Sequence, residues 1–163
     1  MLLLQIASLI PLCNALLEAP IVAFNRASAL QVPLHDAAIA YAFDDPEGIK
    51  IAARSLSDDF LAITGTRPPV WEVHDGNWSI PHSNGSRNVI FAGTIHSGVV
   101  QSLSSRGLVD VSDVVGKWEV FKTTTISNAS VTGVGGIFAI LSNDKRGAIF
   151  GIHTLAEQCG QSP

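Results

Sequence analysis

His153 and Glu157 stand four residues apart in the run "GIHTLAEQ", close enough on a helix to share a cation. The zinc-protease pattern requires a second histidine, which this run lacks, so a partly buried, hydrogen-bonded histidine is expected in place of a metal site. Glycoside hydrolysis needs two carboxyl groups facing each other across a sugar ring. Asp44-Asp45 and Asp58-Asp59 are adjacent along the chain and cannot supply that separation. The first pair reads as a helix cap and the second as a solvated face. Gly133-Val134-Gly135-Gly136 precedes a strand-like run instead of joining strand to helix, so it reads as a turn and not as a dinucleotide fingerprint. Gly93 to Gly98 has the outer spacing of a phosphate loop, but Val99 and Val100 occupy the positions that need Lys and Ser or Thr. The serine elbow Gly-x-Ser-x-Gly does not occur. No catalytic, cofactor-binding or metal-ligating residue is assigned on these grounds, and no cofactor is expected.

The densest charged cluster is Asp144-Lys145-Arg146-Gly147, between an apolar run and a helix-like segment. Asp144 is placed to cap the helix, and Gly147 lets the chain pass close to a neighbour. Two readings of Arg146 stand side by side. It forms a surface ion pair at a capped turn, or its planar, permanently charged fork ties this edge to another domain.

The elements that must position these residues are legible from periodicity. "AAIAYAF", Ala37 to Phe43, is a short apolar run bounded by charge and reads as a buried strand. A helix follows, capped by Asp44 or Asp45, with Pro46 in its first turn and Glu47 at the positive end of its dipole. Ile49, Ala52, Ala53, Leu56, Phe60 and Ile63 form its apolar face, and Gly65 followed by Pro68-Pro69 ends it. Strands are expected at Val70 to Val73, Asn88 to Thr94, over "KWEVFKTTTI" and at Gly136 to Ser142. Helices are expected at Ser97 to Ser105, stopped by Gly107, and at Gly147 to Gln158. Alternating strands and helices with some adjacent strand pairs predict a single α/β domain with a mixed sheet and helices packed on it.

The 163 residues suit one domain, and 47% hydrophobic with 15% charged residues suffices for a real core. A net charge of −4 with scattered basic residues argues against nucleic acid or an anionic membrane as partner. Residues 1–15, MLLLQIASLIPLCNA, have the build of a secretory signal peptide, too short to span a bilayer, which leaves 16–163 as the mature domain and implies a secreted, extracellular protein. Cys13 would leave with it, and Cys159 remains as a small core hydrophobe. Three sequons fit that route, at Asn77, Asn84 and Asn128, the first two in a polar stretch with the composition of an exposed loop. Among the tryptophans, Trp71 and Trp118 fall in strand patterns and are expected in the core, whereas Trp78, beside a sequon, is expected to be exposed.

Four collinear stretches carry a resemblance: "FDDPEGIKIAARSLSDDFLAITGTRP" (Phe43 to Pro68), "NVIFAGTI" (Asn88 to Ile95), "DVVGKWEVF" (Asp113 to Phe121) and "SNDKRGAIFGIHTLAEQCGQSP" (Ser142 to Pro163). Together they resemble the N-terminal domain of glycoside hydrolase family 115, the xylan α-1,2-glucuronidases. The resemblance departs from the family pattern at His153, where tyrosine is usual, at Cys159, at Asn143 and at Gln161. It implies an enzyme that removes (4-O-methyl)glucuronic acid from glucuronoxylan, of which this chain is the non-catalytic N-terminal part. The partner so implied is a C-terminal catalytic (β/α)₈ barrel of the same polypeptide, beginning just beyond Pro163, with Asp144, Arg146 and the last helix as the contact edge. A stand-alone carbohydrate-binding module is the alternative.

Overall fold

The computed structural model describes residues 34, 37–74, 78, 88–127 and 134–160. The signal-peptide segment and the sequon residues Asn77, Asn84 and Asn128 lie outside the described residues. Eight elements run in the order β1 (Ala37–Ala42), α1 (Glu47–Thr64), β2 (Val70–Val73), β3 (Asn88–Thr94), α2 (Gly98–Ser105), β4 (Phe121–Ile126), β5 (Gly136–Ser142) and α3 (Lys145–Gln158). The five strands form one sheet in the order β2-β1-β3-β5-β4. β1, β2, β3 and β5 are parallel, and β4 runs antiparallel beside β5. This is the mixed α/β sheet that the sequence predicts.

The central strands are buried along their length, Asn88 at the start of β3 excepted, because helices cover both faces, which is why their sequences read as continuous apolar runs. Alternation then divides each strand between two cores. On one side Ile39, Tyr41, Ile90 and Ile140 meet α1 and α3 through Ile49, Leu56, Phe60, Ile152 and Leu155. On the other, the small side chains of Ala38, Ala40 and Ala42 share a core with Trp71, Trp78, Phe91 and the α2 residues Val99, Val100 and Leu103.

Helix α1 buries Ile49, Ala52, Ala53, Leu56 and Phe60, as its periodicity requires. Ile63 does not join them: the last turn leaves it exposed. Gly65 ends the helix at φ 74, its N–H on the Leu61 carbonyl, a conformation that glycine adopts without penalty. The other end departs from the sequence reading. Pro46 is the N-cap, no side chain caps it, and Asp44 and Asp45 reach elsewhere. The strand expected over "KWEVFKTTTI" begins only at Phe121, because Glu119 turns the chain at φ 57 and breaks the alternation. Helix α3 starts two residues before Gly147, directly after Asp144. Cys159 is half-buried against the α1–α3 core, and burial pushes its thiol pKa up, as expected of a packing cysteine. His153 is exposed, not partly buried, and among the described residues no group of three or more His, Cys, Asp or Glu side chains could hold a metal. No helix among the described residues is long and apolar enough to cross a membrane.

Candidate functional site

Parallel strands bring their carboxyl ends, and the amino ends of the helices that follow, to one edge of the sheet. There β1, β3 and β5 end at Ala42, Thr94 and Ser142. The chain leaves β1 for α1 on one face and leaves adjacent β3 for α2 on the other. The two connections part, and such a switch point is where open α/β sheets place their ligands.

In this chain two aspartates fill that crevice. The Asp45 carboxylate, 5% exposed, accepts from the Thr94 backbone N–H at 3.0 Å and from its Oγ1 at 2.7 Å. Its other oxygen, Oδ2, has no hydrogen-bond donor among the described residues. Burial pushes the carboxyl up from the ordinary 3.8 to about 6, against the pull of the Thr94 hydrogen bonds and with a smaller push from Asp44. Gly93 is the residue that makes room for it, since a Cβ there would lie 2.8 Å from Asp45 Oδ2 and 2.8 Å from the Phe91 ring. Asp44 Oδ2 accepts from the Gly98 N–H at 2.8 Å, so a carboxylate of the protein already occupies the anion-binding end of α2. Ser97 completes that cap through its Oγ, which accepts from the Val100 N–H. A phosphate would have to displace Asp44 to reach these amides, which gives a structural reason for rejecting a phosphate loop at Gly93 to Gly98.

The second cluster lies at the β5–α3 junction and contains the predicted contact residues Asp144 and Arg146. Asp144 Oδ1 accepts from the N–H groups of Arg146 and Gly147 at 2.9 and 3.2 Å, the cap that the sequence predicts. Its Oδ2 accepts from the Glu119 N–H at 2.8 Å. Desolvation pushes this carboxyl up, but the amides of Glu119, Gly147 and Arg146 and the Arg146 charge outweigh it and hold the pKa below the usual carboxylate range. Arg146 Nη1 meets Glu119 Oε1 at 2.9 Å, which makes it an ion pair within the domain.

Neighbouring residues of the junction grip the same segment. Asn143 Oδ1 accepts from the Gly116 N–H at 3.0 Å, and Ser142 Oγ donates to the Val120 carbonyl at 2.7 Å. The close approach of Val120 explains Gly147: a Cβ would lie 2.6 Å from the Val120 oxygen and would collide with Ser142 Oγ. Ser142, Asn143, Asp144 and Arg146 thus hold residues 116 to 120 from one side. The grip keeps Glu119 in the left-handed region, a conformation that costs a non-glycine residue on the order of 1–2 kcal/mol.

The result of the grip is the placement of Trp118, whose side chain stands in solvent with the residue 75% exposed. Trp78 is 3% exposed and packs edge-on against Phe91, ring centroids 5.3 Å apart. The expected exposures of these two tryptophans are therefore exchanged. Trp71 is in the core as expected. The sequence signal for Trp118 is its position between the Gly116 turn and the first strand residue, Phe121, a stretch that alternation alone assigns to the strand.

No protein-family model matches the chain, and no curated protein matches it in sequence. Among solved structures the fold is similar to a family GH115 4-O-methyl-α-glucuronidase with specificity for decorated arabinogalactans, at 18% identity and a TM-score of 0.52. The likeness covers 78% of this chain and 14% of that one, so the chain is similar in fold to one region of that enzyme and spans a small fraction of its length.

Proposed function

We propose that this chain is the non-catalytic N-terminal domain of a secreted glycoside hydrolase of the α-glucuronidase kind, which removes (4-O-methyl)glucuronic acid from glucuronoxylan. Its role is to pack a sheet-and-helix layer against a catalytic barrel and to form one wall of the substrate region, with the β5–α3 junction and the outer face of α3 along the edge of that wall. The observation that carries this reading is the fold likeness to a GH115 glucuronidase over 78% of the chain.

The carboxyl edge of the sheet supports a scaffold role. Asp44 and Asp144 bind backbone amides, Glu119 is paired with Arg146, and Asp45, though its Oδ2 has no donor among the described residues, is buried at 5% exposure. A general acid and a general base facing a sugar must be free to exchange protons with it. Incubating the purified chain with xylo-oligosaccharides that carry 4-O-methylglucuronic acid, and assaying released uronic acid by chromatography, tests the proposal. No release is expected, and turnover proportional to protein concentration would overturn it.

A further inference from the structure

We propose that the Asp44-Asp45 turn is a pH-sensitive strap across the switch point, closed while Asp45 carries a proton and opening locally far more often once that proton leaves. This device does not depend on the glycoside-hydrolase reading above. Two adjacent side chains fasten the turn. Asp45 Oδ1 accepts from the Thr94 N–H and the Thr94 hydroxyl at 3.0 and 2.7 Å, 49 positions away, and Asp44 Oδ2 accepts from the Gly98 N–H at 2.8 Å, 54 positions away. The Asp45 N–H adds a bond to the Ala42 carbonyl at 3.1 Å. The connection between β1 and α1 is thus tied to the end of β3 and the start of α2 through the side chains of one dipeptide.

Both Thr94 donors reach the same carboxyl oxygen. The other, Oδ2, has no donor among the described residues and lies beside Gly93 and the edge of the Phe91 ring, on a residue only 5% exposed. A neutral carboxylic acid fits this arrangement, its carbonyl oxygen accepting twice and its proton on Oδ2, whereas a carboxylate there is a buried charge against an apolar ring. No cation offsets it: among the described residues no ion pair includes Asp45. The titratable groups on the surrounding elements are Asp44 on the turn itself, Tyr41 in β1, Glu47 and Lys50 in the first turn of α1, His96 after β3 and Asp144 after β5, and α2 carries no charge. Asp44 adds repulsion, Glu47 and Lys50 pair with each other, Asp144 is held by its own cap amides, and His96 is exposed. Burial accordingly raises the Asp45 carboxyl to about 6, while opening returns it to water and to the ordinary 3.8, so the open turn gains on the closed one as pH rises through that interval. Opening also frees the Gly98 N–H, which Asp44 occupies in the closed turn.

The test is amide hydrogen exchange in the full chain, read residue by residue by NMR from pH 4 to pH 7 and corrected for the intrinsic pH dependence of exchange. The Thr94 and Asp45 amides, bound to the Asp45 carboxyl and the Ala42 carbonyl, should be less protected than those of Ile90 and Phe91 in the middle of β3 at every pH. Their protection should fall by about 50-fold between pH 4 and pH 7. In Asp45→Asn that fall should vanish. Thr94→Val removes a hydroxyl that favours the ionised form, so it should steepen the fall, and it serves as the test if the asparagine variant does not fold. Three outcomes overturn the strap: Thr94 and Asp45 amides as protected as Ile90 and Phe91 throughout, which would mean that the turn is released only with the whole fold; protection that does not change with pH; or a fall that persists in Asp45→Asn.

Discussion

Replacing Asp45 by asparagine removes the charge that plugs the switch point while retaining an oxygen to accept from Thr94. With a folded-state pKa of about 6 against 3.8 for the ordinary carboxyl, the folded protein holds this proton more tightly than the unfolded chain. Stability from this group is therefore complete below about pH 3, falls as pH rises from about 3 through about 6, and is level above about pH 7, for a total of about 3 kcal/mol. Asp44 is the charged neighbour that contributes to the shift, and it is present in both proteins. Asp144 and Asp110, whose carboxyls are held below the usual range, act in the opposite direction and also cancel between wild type and variant. Urea denaturation of both at a series of pH values isolates Asp45. Relative to Asp45→Asn, the wild type should lose about 3 kcal/mol between pH 3 and pH 7. A difference that stays constant across that range would refute a buried, proton-retaining carboxyl in the crevice.

Two further substitutions address the junction. Asp144→Ala removes the α3 cap and the acceptor for Glu119 together, and should cost about 1–2 kcal/mol in chemical denaturation, with Asp144→Asn, a good cap residue, costing clearly less. Gly147→Ala places a methyl group against the Val120 carbonyl and Ser142 Oγ, and should destabilise by about 1–3 kcal/mol. Alanine at Gly116, where nothing crowds the site but φ is 70, should cost about 1 kcal/mol, so a larger loss at 116 than at 147 would contradict the packing described.

The fold was legible where one physical effect dominated. Continuous apolar runs gave β1, β3 and β5, and the 3.6-residue repeat with a terminal glycine gave α1, because burial on two faces or on one leaves those patterns in the sequence. Asp144 was legible as a cap because capping is local. Its second oxygen, which holds a residue 25 positions away, was not, and neither was the route of Asp44 to Gly98 across 54 positions. The exchange of Trp118 and Trp78 has the same origin. Trp118 and Val120 alternate like strand residues, but the alternation is broken by a φ that only the tertiary grip sustains. Trp78 sits in a polar stretch and is nonetheless buried, because the alanines of β1 leave volume on that face of the sheet for large rings. Arg146 matched one of its two sequence readings, an ion pair at a capped turn, once its partner proved to be Glu119.

Hydrogen exchange, followed by NMR on the indole and backbone N–H groups of one sample, tests most directly whether the junction holds a solvent-facing ring on an immobile backbone. The Trp71 and Trp78 indoles should exchange slowly and the Trp118 indole fast, while the amides of Gly116 and Glu119, bound to Asn143 and Asp144, are protected. A Glu119 amide that exchanges as fast as the Trp118 indole would contradict the grip.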